Sequence, residues 1–124
     1  MRRIRSAAVL GAGVMGRQIA ALLANANLRV TLLDVVPATG AEEGHARSRL
    51  AREAVEALRR ASPPALFVPE RAEAIRVGNL TDHLGWLKEA DWILEAVAED
   101  LGIKQALFAA VDGHRAAGTI VSSN

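Results

Sequence analysis

Gly11-Ala12-Gly13-Val14-Met15-Gly16, running directly out of Ser6-Ala7-Ala8-Val9-Leu10, is the stretch that decides the fold. The five residues before it are nearly all apolar, the pattern of a short strand buried on both faces. After it, Met15, Ile19, Leu22, Leu23 and Ala26 recur at spacings of three and four, which makes one apolar face of a helix. Asn25 and Asn27 stand where that helix should end, because Asn tolerates the left-handed conformation of a helix C-cap. Arg29–Asp34 then reads as a second strand that ends in a carboxylate. The opening unit is therefore strand, glycine turn, helix, strand.

A Gly-x-Gly-x-x-Gly pattern alone is a weak signal. Here it follows a strand, opens a helix and is trailed by Asp34, and in that context it predicts dinucleotide binding. Gly11 allows the sharp turn. Gly13 lacks the Cβ that would block a pyrophosphate, and Gly16 lets the helix approach the strand. The N–H groups of Val14, Met15 and Gly16 then face the diphosphate at the positive end of the helix. Asp34 is placed to accept hydrogen bonds from the adenosine ribose and to reject a 2′-phosphate. Two unit charges about 4 Å apart repel by about 4 kcal/mol at an effective dielectric near 20. About 1.4 kcal/mol is tenfold, so NAD is expected over NADP by hundreds-fold or more. Val35-Val36-Pro37 offers no cation to offset that repulsion.

Working outward, residues 41–60 read as a long helix, with Glu43 facing Arg47 and Glu56 facing Arg60 at i,i+4 and a thin apolar stripe of Ala46, Leu50, Ala54 and Leu58. Ser62-Pro63-Pro64 ends it. Residues 65–74 carry no clear pattern. Residues 75–77 form a weak third strand, and Thr81 is a fair N-cap for a short helix through Lys88. Residues 91–97 make a fourth strand, Ile103, Leu107 and Val111 mark a helix that Gly113 closes, and residues 119–123 make a fifth strand. Alternating strands and helices mean a parallel sheet with right-handed crossovers. The expected fold is α/β, a Rossmann-type doubly wound parallel β-sheet with flanking helices, ordered 3-2-1-4-5. One domain of residues 1–124 is expected, incomplete at its C-terminus because such a sheet normally continues past a fifth strand.

Composition excludes other classes. The 124 residues are 51% hydrophobic and 23% charged, as in a globular domain. Fifteen basic against fourteen acidic residues give +1, so there is no bulk charge for nucleic acid or an acidic membrane. Aromatic residues are only 3%, too few for a base-stacking platform. With no cysteine there is no disulfide, thiolate metal site or thiol nucleophile, and no metal is expected. No stretch approaches the roughly 20 apolar residues of a membrane span, so a cytoplasmic protein is the expectation.

Three stretches carry a resemblance: residues 9–24, residues 90–107 (Ala-Asp-Trp-Ile-Leu-Glu-Ala-Val-Ala-Glu-Asp-Leu-Gly-Ile-Lys-Gln-Ala-Leu) and residues 118–124 (Gly-Thr-Ile-Val-Ser-Ser-Asn). With these the sequence resembles the nucleotide-binding domain of the 3-hydroxyacyl-CoA dehydrogenases, the hydride-transfer enzymes of fatty-acid β-oxidation. The resemblance implies that Glu99 and Lys104 contact the nicotinamide side of NAD, that Ala96 and Val97 line the nicotinamide pocket, and that Asn124 lies near the reacting carbon. It also implies an acyl-CoA substrate for the parent protein. The family's acid–base His and Glu and its helical dimerisation domain have no counterpart in these residues, so the chain alone is expected to be inactive.

His45, His83 and His114 do not substitute for that pair; each is expected to be a surface residue. In the family the helix after the second strand lies near CoA, and here it carries Arg47, Arg49, Arg52, Arg59 and Arg60, which read more simply as a solvated charged face. The alternatives are another Rossmann dehydrogenase acting on a 3-hydroxy acid, or a free-standing NAD-binding module without catalysis. The edge of a fifth strand left bare would be a template for self-association, so a homo-oligomer is possible.

Overall fold

The computed structural model describes residues 3–40, 42–66, 68–97 and 101–123. Five parallel strands form one sheet in the order β3-β2-β1-β4-β5. The strands are β1 (Ser6–Leu10), β2 (Arg29–Asp34), β3 (Ile75–Asn79), β4 (Trp92–Glu95) and β5 (Ile120–Ser123), and the α-helices are α1 (Val14–Asn25), α2 (Arg49–Arg59) and α3 (Leu101–His114). This is the expected topology, and it puts the reversal of strand order between β1 and β4.

Alternation along β1 divides the core into two layers. Ala7 and Val9 point to the face covered by α1 and α2, where they meet Ala20, Ala24, Val30, Leu32, Ala54 and Leu58. Ala8 and Leu10 point to the other face, where Leu33, Leu87, Ile93, Leu107 and Val111 pack. The sheet is therefore covered on both sides, which is why β1 carries an unbroken apolar run. At the opposite end of the strands, Asp91 Oδ2 accepts the backbone N–H groups of Arg5 at 2.9 Å and Ser6 at 3.2 Å, which ties the start of β4 to β1.

α1 stops as expected. Asn27 has φ +70°, the N–H of Leu28 reaches the Leu23 carbonyl and the N–H of Asn27 reaches the Ala24 carbonyl. That is a Schellman closure built on Asn in place of Gly.

Four local expectations need correction. The long helix of residues 41–60 is in fact a 3₁₀ turn (Gly44–Ser48) leading into the shorter α2. Gly44 has φ +63°, which no α-helix accommodates, and Arg47 turns away from Glu43 to pair with Asp82 at 2.6 Å. The buried face is Ala51, Ala54, Val55 and Leu58, rotated from the stripe expected of Ala46 and Leu50. The short helix through Lys88 is a 3₁₀ segment (Leu84–Glu89), and Thr81 does not cap it; its own N–H bonds to Asn79 Oδ1. Strand β3 is stronger than its three-residue reading, reaching Asn79. Strand β4 is shorter than residues 91–97, because Asp91 caps β1 and the chain turns after Glu95. Among the described residues no helix is long and apolar enough to cross a membrane.

Candidate functional site

The glycine turn leaves β1 at the carboxyl edge of the sheet, between β2 and β4. Gly11 has φ +107° and donates its N–H to Leu33 O at 2.7 Å, while Ala96 donates its N–H to Leu10 O at 2.8 Å. A Cβ on Gly11 would stand 2.7 Å from the carbonyl oxygen of Ala96. The turn is thus pressed against the chain leaving β4, and both the positive φ and the crowding demand glycine.

Gly16 faces inward. A Cβ there would overlap the carbonyl oxygen of Gly11, so the helix can sit this close to the strand only without a side chain. Gly13 is the opposite case: its Cβ position has no protein atom within 4 Å. The turn therefore keeps open the space directly before the N-terminus of α1. Gly13 is the N-cap residue, no side chain caps the helix, and no acidic residue lies in its first turn. The positive end of the helix therefore carries no carboxylate of its own first turn. Around it Val14, Met15 and Val35 are 60%, 52% and 51% exposed, an apolar rim at the carboxyl edge.

Asp34, the residue expected to read the adenosine ribose, stands beside the turn. Its Oδ2 accepts the Ala12 N–H at 2.8 Å and its Oδ1 accepts the Val35 N–H at 2.6 Å. The carboxylate is held by two backbone donors, and each oxygen retains a further lone pair for a hydroxyl donor. A groove of about 480 Å³ joins Ala12, Gly13, Arg17 and Asp34 to Leu50 and Glu53 of α2. A second cavity, of about 410 Å³, touches Arg29, Thr31, Arg76 and Trp86 at the amino ends of the strands. Size does not separate the two. Position does, since open parallel sheets bind ligands outside the carboxyl ends of their strands.

Next to Asp34, the end of β3 is built from a buried polar cluster. Asn79 is fully buried; its Nδ2 donates to Ser48 Oγ at 3.0 Å and Asp82 Oδ2 at 3.1 Å, and its Oδ1 accepts the N–H groups of Thr81 and Asp82. Asp82 also accepts both arms of the Arg47 guanidinium. Those hydrogen bonds, Arg47 first and Asn79 second, lower the Asp82 carboxyl to about 2 and raise the Arg47 guanidinium.

His83 is not the surface residue expected. It accepts the Asn79 N–H on Nδ1 at 2.9 Å, stacks on Trp86 and covers Gly78. His114 is half-buried, with Nδ1 2.8 Å from Ala110 O, and only His45 is plainly exposed. None of the three approaches the glycine turn.

On the nicotinamide side the structure places Ala96 against Gly11 and packs Val97 on the Leu107 layer. Lys104, on α3, is brought to the same edge, where its Nζ lies 3.3 Å from Glu95 Oε1. Glu99 and Asn124 lie outside the described residues. The sequence reading gave Glu95 no role, yet its carboxylate is fully buried at the end of β4. It accepts the Val97 N–H at 2.6 Å and the Ser123 hydroxyl at 2.7 Å in addition to pairing with Lys104. The available signal was a charge inside an otherwise apolar buried strand, Trp-Ile-Leu-Glu-Ala-Val, which requires partners nearby.

Known proteins match the chain over nearly all of its length. A family model described as "3-hydroxyacyl-CoA dehydrogenase, NAD binding domain" matches residues 6–124. The chain is 48% identical over 133 residues to a probable 3-hydroxyacyl-CoA dehydrogenase of Bacillus subtilis, covering 99% of this chain and 17% of that protein. It is 45% identical over 122 residues to a protein of the same description from Deinococcus radiodurans, covering 98% of this chain and 34% of that one. Among solved structures, the 3-hydroxybutyryl-CoA dehydrogenase of Escherichia coli superposes with a TM-score of 0.75 at 26% identity, over 99% of this chain and 25% of that one. The chain thus spans about a sixth to a third of the length of these curated relatives.

Proposed function

The chain belongs to the family of NAD-binding domains of 3-hydroxyacyl-CoA dehydrogenases, and from that premise we propose that it serves as the cofactor half of an enzyme that oxidises a 3-hydroxyacyl-CoA to its 3-oxoacyl-CoA. NAD supplies the chemistry there as hydride acceptor. The chain's own residues bind and orient it. Gly11, Gly13 and Gly16 shape the turn, the N–H groups of Val14, Met15 and Gly16 meet the pyrophosphate, and Asp34 takes the adenosine ribose. Ala96, Val97, Glu99, Lys104 and Asn124 serve the nicotinamide end. The observation that carries this reading is the pairing of an open Cβ position at Gly13 with a backbone-anchored carboxylate at Asp34 on one edge of the sheet.

The acyl-CoA substrate and a role in fatty-acid β-oxidation follow from the same family reading, and a cytoplasmic location is part of the proposal. Homo-oligomerisation of the protein is part of the proposal. Catalytic acid–base groups come from outside these residues, so the purified chain should not turn over acetoacetyl-CoA with NADH. The test of the cofactor reading is a fluorescence titration with NADH and, separately, NADPH. Saturable NADH binding with far weaker NADPH supports it. Binding of neither nucleotide overturns it.

A further inference from the structure

We infer that Glu95 is a positioning residue for the nicotinamide end of the cofactor site, acting through Lys104 and the chain after β4; the inference rests on the NAD reading above. Glu95 lies at the meeting point of three strands, opposite Leu10 of β1 and Ser123 of β5 in the sheet register. Its carboxylate gathers three donors from three separate segments. The Val97 N–H, at 2.6 Å, sets the direction in which the backbone leaves β4. That same backbone forms the wall against Gly11. The Ser123 hydroxyl, at 2.7 Å, ties down the end of β5, one residue before Asn124. The Lys104 ammonium, at 3.3 Å, is drawn from the first turns of α3 towards the sheet edge.

A purely structural carboxylate is an expensive choice at this position. Burying a charge is costly unless it is paired, and well-packed apolar residues usually do as well for stability. What the charge provides here is geometry. It selects one Lys104 rotamer out of the many open to a flexible four-carbon stem, and it points that cation at the carboxyl edge between β4 and the glycine turn. Holding a side chain in place before the ligand arrives lowers the ordering cost of binding.

The proposal separates the two halves of the cofactor. Glu95 lies on β4, across β1 from Asp34 on β2, and its carboxylate bonds to Val97, Lys104 and Ser123, so groups that read ADP-ribose should feel its loss far less. The experiment is calorimetric titration of the purified chain and its variants with NADH and with ADP-ribose. Glu95→Gln keeps the shape and removes the charge. It should weaken NADH about tenfold, the size expected for a lost charge-assisted hydrogen bond, and leave ADP-ribose within about twofold.

The double variant E95Q/K104M should weaken NADH by less than the product of the two single losses, because Glu95 acts in part through Lys104. Should E95Q not fold, Ser123→Ala removes one donor from the same carboxylate at an exposed position. It should weaken NADH about threefold, again sparing ADP-ribose. Equal losses for both ligands, additive effects in the double variant, or unchanged NADH affinity would each overturn the proposal. A wild-type chain that binds ADP-ribose but not NADH overturns it while sparing the glycine turn and Asp34; one that binds neither removes the NAD reading itself.

Discussion

Asp34 Oδ2 accepts the backbone N–H of Ala12 at 2.8 Å, so the carboxylate that ends β2 and the glycine turn that ends β1 are one unit. In the proposed site, the side chain that reads the ribose also braces the loop that receives the pyrophosphate. The same bond explains why a strand-end aspartate looks like a simple turn cap in isolation and like a ligand group in context. It is both.

Asp34→Asn should therefore have two separable effects. Loss of charge relaxes cofactor choice, and NADH preference over NADPH should fall from hundreds-fold to below about tenfold. The amide can keep only one of the two backbone N–H bonds, which should cost about 1–2 kcal/mol of stability. Parallel NADH and NADPH titrations with a urea melt check both. Undiminished discrimination in the variant would remove Asp34 from the ribose site.

Gly13→Ala and Gly16→Ala should part company. The Gly13 Cβ position meets open space, and that of Gly16 meets the Gly11 carbonyl. The first variant should lose NADH affinity by tenfold or more while its stability changes by less than about 1 kcal/mol. The second should be destabilised by about 3 kcal/mol or more, since backbone has no rotamer with which to yield. Thermal melts beside NADH titrations distinguish them.

Acid should loosen the corner at the end of β3. Asp82 titrates near 2 in the folded chain, against 3.8 ordinarily, chiefly through its hydrogen bonds to Arg47 and Asn79. A carboxyl depressed in the folded state contributes stability that is fully present above about pH 4. That contribution is lost as pH falls from there through about 2. Arg47→Ala should return Asp82 most of the way to its ordinary value. NMR titration of the Asp82 side-chain carbon in both proteins measures this directly, and an Asp82 that titrates near 3.8 in the unmodified chain contradicts it.

Asn79→Ala should be among the costlier single changes outside the apolar core. Asn79 is fully buried, and its Oδ1 accepts two backbone N–H groups, those of Thr81 and Asp82, that lose this partner in the variant. A loss of about 2–3 kcal/mol is expected. NADH affinity should fall modestly as well, because the Leu80 N–H bonds to the Asp34 carbonyl and the two strand ends move together. Denaturant unfolding gives the first quantity and an NADH titration the second.

Much of this was legible in the residues themselves. Apolar runs at Ser6–Leu10 and Arg29–Asp34, a glycine pattern between them and alternating helices dictate a parallel sheet, because each signal is local and each agrees with the next. Asn27 at the end of α1 was readable for the same reason: its left-handed φ is a property of one residue. The helix expected over residues 41–60 failed where the interaction stopped being local. Arg47 has an i,i−4 partner in Glu43, worth a few tenths of a kcal/mol, and gives it up for a bidentate bond to Asp82, thirty-five residues away. No window along the chain contains that choice.

The sequence by itself thus determined the alternation of strands and helices, the glycine turn and the carboxylate at its side, since period, spacing and backbone sterics need only neighbouring residues. Only the tertiary structure decided that Asp34 braces Ala12, that Asn79 and Asp82 hold the corner beside it, and that Glu95 collects Val97, Lys104 and Ser123. The physical reason is burial. A polar group removed from water must find its partners within hydrogen-bonding distance, and which groups lie within that distance is set by how strands and helices pack rather than by their order in the chain.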